Sequence, residues 1–305
     1  MSQEKNLNNG IRPVIKELLA LKHHAAGIQF FNNRKVHSVQ AGMRLSPARG
    51  RGMDFEEVRH YQSGDDVRLI HWSLTARLGK PFTKIYREER ERLIYLVIDQ
   101  SSAMHFGTRV CFKNVLAAKV AALLGFAALD HHEQVGGIIF NDKNAEYIQP
   151  KRSRQSLLQM FNILHNNQGI KHYQGGLENN LQLLSQKIQS GSVVIIISDF
   201  NDYSANIKNF LNIINRKAEI INVFIYDPLE SNLPDHGYYN FTDDGKRKLE
   251  ISATKNNRHL YSNNFNERLS EIENFSRKNR MQFVKLATND NLVGKINHGI
   301  LKYGY

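Results

Sequence analysis

The chain has 305 residues, of which 41% are hydrophobic and 23% charged, and its formal net charge is +12. This composition is typical of a soluble globular protein long enough to bury a large core. No apolar run approaches the roughly 20 residues of a membrane helix, the polar N-terminus lacks the apolar segment of a signal peptide, and the single cysteine, Cys111, excludes an internal disulfide. We therefore expect a cytoplasmic protein with no membrane span.

The positive charge is concentrated in two stretches. Residues 12–51 hold eight Lys or Arg and one acid, and residues 246–302 hold twelve Lys or Arg and five acids. Such an excess favours acidic partners, whether nucleic acid, anionic lipid or an acidic protein face, but a solvated basic surface with no dedicated partner is the preferred interpretation. The sequence contains no recognisable nucleic-acid motif, so we expect no specific nucleic-acid binding.

In chain order, residues 13–31 carry a helical apolar pattern that begins at Pro13. Residues 42–91 are dense in charge and contain the only tryptophan, Trp72, which we interpret as the apolar anchor of this segment. Its arginines fit either a site for phosphate or an acidic peptide, or ion pairs that pin an irregular cap to the main domain. The alternation of both charge signs favours the cap.

Residues 93–98 form an unbroken apolar run, which predicts a strand buried on both faces and ended by Asp99. Asp99 and Ser101 offer oxygen ligands suited to Mg²⁺, although an aspartate here also fits the capping of loop amides. Residues 192–197 repeat the pattern and are followed by Asp199. Two such strands side by side would bring Asp99 and Asp199 into one crevice at the carboxyl edge of the sheet.

The remaining elements alternate between strands and helices. A helix over 108–130, with Thr108 as its N-cap, precedes strands 134–140 and 145–149 around a turn at 141–144. The stretch 228–260 is hydrophilic and is predicted to be irregular. Further helices are predicted over 153–165, 178–188, 206–217, 264–280 and 292–302, and further strands over 219–226 and 281–286. This order predicts an α/β, doubly wound, mainly parallel sheet of about six strands in residues 93–305, preceded by a helical and charged appendage in residues 1–92.

Two stretches carry a recognisable set of spaced residues. The positions in residues 50–104 are Gly50, Gly52, Asp54, Phe55, Arg59, Tyr61, Gly64, Asp65, Asp66, Arg68, Ile70, Trp72, Ala76, Arg77, Asp99, Ser101 and Met104. The second set is Asp227-Pro228-Leu229-Glu230, Leu233-Pro234, Gly237 and Asp244-Gly245. Together they resemble the signature of the bacterial family named domain of unknown function fifty-eight.

The resemblance implies a von Willebrand factor A-like domain of six mainly parallel strands with helices on both faces. It also implies a non-enzymatic adaptor of MoxR-type AAA+ ATPases that assists the assembly or activation of client proteins. The signature residues of the charged segment, namely Arg59, Tyr61, Gly64, Asp65, Asp66, Arg68, Trp72 and Arg77, are then expected to be structural or partner-binding.

The domain class often binds Mg²⁺ at a metal-ion-dependent adhesion site, where two Ser, one Thr and two Asp hold the ion and a partner's carboxylate completes the shell. Here Ala103 and Leu177 stand where hydroxyl ligands are expected, and His71 replaces the Asp before Trp72. Only Asp99, Ser101 and Asp199 remain as metal ligands. The resemblance therefore implies a partly degraded site, which either binds Mg²⁺ weakly or keeps a structural pair of aspartates.

Two alternatives to an adaptor stay open from the sequence. A basic nucleic-acid-binding protein without metal would use the two basic stretches. A hydrolase is disfavoured, because neither Ser101 nor Ser198 lies in a Gly-x-Ser-x-Gly elbow and no histidine is placed by spacing to activate them.

Overall fold

The computed structural model of the protein describes residues 10–28, 53–88, 91–166, 173–243, 247–252 and 254–301. It contains a seven-stranded sheet, whose strands are β3 (Leu93–Asp99), β4 (Gln134–Phe140), β5 (Asn144–Lys151), β6 (Tyr173–Gln174), β7 (Ser192–Ser198), β8 (Ala218–Tyr226) and β11 (Gln282–Ala287). Their order in the sheet is β11-β8-β7-β3-β4-β5-β6. β11, β8, β7, β3 and β4 are mutually parallel, whereas β5 runs antiparallel to β4, and β6 to β5.

The two apolar runs form the middle of this sheet. β3 pairs with β7 in parallel, with Ile98 opposite Ile197, and both strands are buried almost throughout. Since successive side chains point to opposite faces of a strand, burial of every residue means that both faces of the sheet are covered. The predicted α/β fold with a largely parallel sheet is therefore confirmed.

The helices that follow the strands cover the sheet. The most buried is α4, whose apolar residues leave almost no polar face, and it packs against β3, β4 and α5. The helices of this part are α1 (Ile15–Ala20), α2 (Lys22–Ala25), α4 (Lys113–Asp130), α5 (Arg154–Asn166), α6 (Leu177–Lys187), α7 (Ala205–Asn215), α8 (Pro228–Ser231), α9 (Lys255–Lys278) and α10 (Leu292–Leu301).

The chain divides into two compact units, and the division differs from the predicted one. The first unit comprises Met1–Arg34 with Arg92–Tyr305, and the second is Lys35–Glu91. The N-terminal helices belong with the sheet because Leu18 and Ala25 are buried where α1 and α2 pack on α4. We predicted one helix over 13–31, but the described part of this stretch holds two short helices, and residues 29–31 lie outside the described residues.

The second unit is more regular than the predicted irregular cap. An antiparallel pair, β1 (Met53–His60) and β2 (Phe82–Glu88), encloses a 3-10 helix at Val67–Leu69 and the helix α3 (Trp72–Leu78). Gly79 ends α3 with a positive φ of 69°, a conformation that a residue without Cβ adopts at little cost.

The stretch 228–260, predicted to be irregular, also has regular structure. It contains α8, the antiparallel strands β9 (Tyr238–Asp243) and β10 (Arg247–Ser252), and the first residues of α9. α9 begins at Lys255, nine residues earlier than predicted, because the Thr254 hydroxyl caps it by accepting a hydrogen bond from the Asn257 amide at 3.2 Å.

Candidate functional site

Polar residues collect at the carboxyl edge of the parallel strands. Asp99 ends β3, Asp199 follows β7, Asp227 follows β8 and Thr288 follows β11. All four side chains are buried. In a parallel sheet these ends meet at one edge. Asp99 bonds to Ser198, the residue before Asp199, while Asp227 bonds to Thr288. Lys113 and Glu230 connect Asp199 to Asp227, so the network crosses four neighbouring strands.

Asp99 is held by donors on both of its carboxylate oxygens. Its Oδ1 accepts from the Ser101 amide at 2.8 Å, and its Oδ2 accepts from the Ser198 hydroxyl at 2.6 Å. Burial, with only 4% of the residue exposed, and the nearby charge of Asp199 raise the pKa of Asp99 to about 6. The side chain thus binds the first loop after β3 to the last residue of β7.

Asp199 is paired with a lysine that the sequence analysis did not single out. Lys113, the first residue of α4, donates from Nζ to Asp199 Oδ2 at 2.7 Å and to Glu230 Oε1 at 2.6 Å. Only 1% of Lys113 is exposed. Burial works to lower its pKa, but the two carboxylates outweigh burial, so the pKa of Lys113 is raised and the ammonium stays charged.

Asp227 anchors the far end of the network. Its carboxylate accepts from the Thr108 and Thr288 hydroxyls, each at 2.6 Å, and from the Thr108 and Leu229 amides, each at 3.0 Å. Burial acts to raise its pKa, but these hydrogen bonds outweigh burial and the pKa of Asp227 is lowered. The prediction that Thr108 caps α4 is therefore wrong. The Thr108 hydroxyl is held by Asp227, and α4 begins five residues later.

Asp227 also forms a capping box with Glu230. The Asp227 carboxylate caps α8, and its amide donates to Glu230 Oε2 at 2.8 Å. Glu230 thus links Asp227 to Lys113, since its other carboxylate oxygen accepts from the ammonium.

The turn after β4 contacts the loop that follows β3 at the end of the network opposite Asp227. Asp142 Oδ2 accepts from the Ser102 amide at 2.8 Å, which ties the β3 loop to the β4–β5 turn. The Gly175-Gly176 turn lies directly on this turn, with the Gly176 amide donating to the Asn141 carbonyl at 2.9 Å. A Cβ on Gly175 would lie 2.2 Å from that carbonyl oxygen, so the close approach requires glycine.

The structure brings the three predicted metal ligands, Asp99, Ser101 and Asp199, to one edge of the sheet, but their surroundings do not fit a divalent cation. The oxygens of Asp99 already accept from Ser101 and Ser198, and Asp199 is neutralised by the Lys113 ammonium. Within the described ranges, no group of three or more His, Cys, Asp or Glu is placed to hold a metal ion.

Part of the family signature in the second unit is structural. Arg59 pairs with Asp65 at 2.6 Å, and Asp65 also accepts from the Gln62 amide, which is the largest of the causes that lower the pKa of Asp65. Asp66 caps the 3-10 helix by accepting from the Arg68 amide, and Gly64 has a φ of 110°. The half-buried Tyr61 donates through its amide to the Pro81 carbonyl at 2.9 Å.

His71, which stands where the family has Asp, is the N-cap of α3. Its Nδ1 accepts from the Leu74 amide at 3.3 Å. An imidazole nitrogen thus replaces a carboxylate oxygen in the same capping position.

Three further signature residues of the second unit face solvent. Trp72 is 66% exposed, and Arg68 and Arg77 are also exposed. The prediction that Trp72 is the apolar anchor of this segment is therefore wrong. An indole at the first position of α3 points away from the short helix, whose described side chains are all half-buried or exposed.

Two residues of the strand-end network, Lys113 and Glu230, were absent from the predicted site. Glu230 lies in the Asp227-Pro228-Leu229-Glu230 motif, and its spacing from Asp227 is the signal that could have identified it. Lys113 gives no such signal, because a lysine at the start of an apolar helix is usually solvated.

A model of the family described as Protein of unknown function DUF58 matches residues 57–271. "Uncharacterized protein Mb1516" of Mycobacterium bovis is 30% identical over 205 residues, which cover 67% of this chain and 64% of the relative. The aligned region thus spans a little under two thirds of that relative's length.

Two solved structures have weaker likeness. A conserved hypothetical protein BatB from Bacteroides thetaiotaomicron is 12% identical, covers 70% of this chain and 98% of its own, and gives a TM-score of 0.45. An aerotolerance-related membrane protein from Bacteroides fragilis is also 12% identical, covers 69% and 99%, and gives 0.43.

The predicted cytoplasmic location is contradicted by the second of these descriptions, which is of a membrane protein, and the prediction is withdrawn. The prediction was based on the lack of a membrane span and of a signal peptide and on the single cysteine, and these features do not determine the compartment. Among the described residues, we find no helix with the length and apolar character that a membrane crossing requires.

Proposed function

The chain belongs to the family of unknown function DUF58, and from that premise we propose that it is a non-enzymatic protein-interaction module. The proposal assigns the sheet unit to the von Willebrand factor A-like type and makes the protein an adaptor of a MoxR-type AAA+ ATPase that assembles or activates client proteins. The family resemblance supports both assignments, and the largely parallel sheet agrees with the first.

The exposed half of the family signature carries the proposal. Arg59, Gly64, Asp65 and Asp66 have structural roles within the second unit, whereas Trp72 exposes two thirds of its surface. A large exposed aromatic side chain loses the favourable burial of its apolar area, so a role outside the folded unit is the better explanation.

The neighbours of Trp72 suit a protein partner. Val67, 58% exposed, lies on the 3-10 helix before Trp72, and Leu78, 53% exposed, is the last residue of α3, the helix that Trp72 begins. The exposed arginines Arg68 and Arg77 lie in the same segment. Tryptophan and arginine are the residue types that most often dominate protein–protein binding energy. The positive charge of the two arginines favours an acidic face on the ATPase.

The strand-end network supports a non-enzymatic role. Ser198 is 1% exposed and its hydroxyl donates to Asp99, so a substrate has no access to it.

The test is binding to the MoxR-type ATPase encoded nearest to this chain in its genome, measured by biolayer interferometry. Trp72→Ala should weaken binding by roughly 30-fold, the size expected for an interface hot spot, with an unchanged melting temperature. Leu260→Ala is the matched control, because Leu260 is 55% exposed on α9 in the sheet unit. It should bind like wild type.

Three results would contradict the proposal. The ATPase could fail to bind wild type, Trp72→Ala could bind as well as Leu260→Ala, or both variants could lose affinity equally. Selective submicromolar binding to one nucleic-acid sequence at physiological salt would instead favour the basic nucleic-acid-binding alternative.

A further inference from the structure

Two carboxylates of the strand-end network share one buried cation, the Lys113 ammonium. It donates to Asp199 at 2.7 Å and to Glu230 at 2.6 Å, while Asp99 accepts from the hydroxyl of Ser198, the residue before Asp199. Lysine is almost never fully buried unless its charge is paired. Asp199 lies in the loop after β7, and Glu230 lies in α8, the helix after β8.

The position of Lys113 is fixed by its own helix. It is the first residue of α4, and its amide donates to the Phe106 carbonyl at 2.8 Å. The next turns of α4 are buried against β3 and β4, so the backbone at Lys113 has little freedom. The ammonium is therefore held in place by the fold, unlike a cation that exchanges with solvent.

We propose that Lys113 is the permanent cation of this site, and that it makes the carboxylates of Asp199 and Glu230 independent of any divalent metal. The ammonium supplies three hydrogen-bond donors, and two of them are used by Asp199 and Glu230. A metal ion beside Asp199 would have to displace this ammonium or accept its repulsion. A partner's carboxylate would find no open coordination position here.

The inference goes beyond the adaptor function and does not depend on it, since the cation is part of the chain whatever partner binds. Its consequence for any partner is that chelators should leave binding unchanged. A carboxylate from the partner would have to be recognised elsewhere on the surface.

The experiment compares wild type with Lys113→Met, which keeps the length of the side chain and removes its charge. Free Mn²⁺ is measured by electron paramagnetic resonance as MnCl₂ is added, and melting temperature is measured with MnCl₂ and MgCl₂. The matched control is Lys119→Met, six residues along the same helix, where a partly exposed lysine pairs with Glu17 at 3.0 Å.

We expect wild type and Lys119→Met to bind Mn²⁺ equally poorly. Lys113→Met should melt at a lower temperature than either, because it leaves buried carboxylates without a counter-charge. It should also gain one Mn²⁺ site at least ~10-fold tighter than any site in wild type, and Mn²⁺ should recover part of the lost melting temperature.

A second variant guards against a failure to fold. Lys113→Met/Asp199→Asn removes one charge of each sign, so it should fold better than Lys113→Met and bind no Mn²⁺. The proposal is overturned if wild type binds Mn²⁺ at a single site that Asp199→Asn abolishes, or if a folded Lys113→Met gains no site. If neither variant folds, the wild-type titration decides alone.

Discussion

Replacing Asp227 with Asn should destabilise the sheet unit strongly at neutral pH. The carboxylate is fully buried and accepts four hydrogen bonds, two from hydroxyls at 2.6 Å and two from amides at 3.0 Å. Asn keeps one acceptor oxygen. Its side-chain NH₂ group replaces the other carboxylate oxygen and, being a donor, cannot accept the hydrogen bonds that this oxygen accepts. Some donors are then left without an acceptor in a buried position.

The magnitude follows from these contacts. A hydrogen bond to a charged group contributes about 1.5–3 kcal/mol, and a buried donor without an acceptor costs about 1–3 kcal/mol. The loss of two such bonds gives a decrease of roughly 3–6 kcal/mol in the free energy of unfolding. At about 2–4 °C per kcal/mol for a domain of this size, the melting temperature should fall by roughly 6–24 °C.

The assay is thermal and urea unfolding of Asp227→Asn against Asp235→Asn. Asp235 lies in the same connecting stretch but is highly exposed, and its ion pair with Arg258 is on the surface, so its loss should change stability by less than about 1 kcal/mol. Thr288→Val removes one donor and should fall between the two. The reasoning is refuted if Asp227→Asn melts within 1–2 °C of Asp235→Asn, a range of about the size expected for a surface change.

The pH dependence of Asp227 follows from the direction of its pKa shift. Its pKa is lowered in the folded state, so its contribution is complete above the unfolded value of 3.8 and is lost as the pH falls through the lower folded value. The difference in the free energy of unfolding between wild type and Asp227→Asn should therefore become smaller only at acidic pH.

Two further predictions concern other groups. The pKa of Asp99 is raised from 3.8 to about 6, so the folded state retains a proton that the unfolded state has lost, and stability falls as the pH rises through this window. Asp99→Asn removes this effect, and its stability relative to wild type should improve by up to about 3 kcal/mol between pH 4 and pH 7 in urea titrations; a constant difference would contradict the raised pKa. The excess of 12 positive charges should produce only weak binding of nucleic acid, with affinity that falls steeply with salt and does not depend on sequence. Fluorescence anisotropy on several oligonucleotides at two salt concentrations checks this, and a selective complex that survives high salt would be evidence against it.

The sheet and the pair of aspartates followed from local pattern. The runs at 93–98 and 192–197 are long enough and apolar enough to demand burial on both faces, and such strands pair in parallel. That pairing puts Asp99 beside Ser198, one residue beyond the register of Ile98 with Ile197. The charge of Asp199 contributes to the raised pKa of Asp99, and the Lys113 ammonium is paired with Asp199.

The rest depended on contacts far apart in the chain. Nothing near Lys113 in the sequence shows that it turns inward, because its partners follow β7 and β8. Trp72 was assigned to an interior from its residue type alone. The β9–β10 pair was missed although the sequence carries a hairpin signal. Asp244-Gly245, a typical hairpin turn, stands between two strands. Tyr239 and Phe241 alternate with polar residues in the first strand, and Leu249 and Ile251 do so in the second.

The polar links at the sheet edge have a consequence for the order in which the chain folds. Asp99 and Ser198 are 99 residues apart, Lys113 and Glu230 are 117 apart, and Thr108 and Asp227 are 119 apart. Each link closes a long loop of the chain, and closing such a loop carries an entropic cost that opposes formation of the hydrogen bond. The individual strands and helices can collapse earlier, but these carboxylates reach their donors only when β3, β7 and β8 are already aligned. Mutations along this edge should therefore speed unfolding and leave the folding rate almost unchanged.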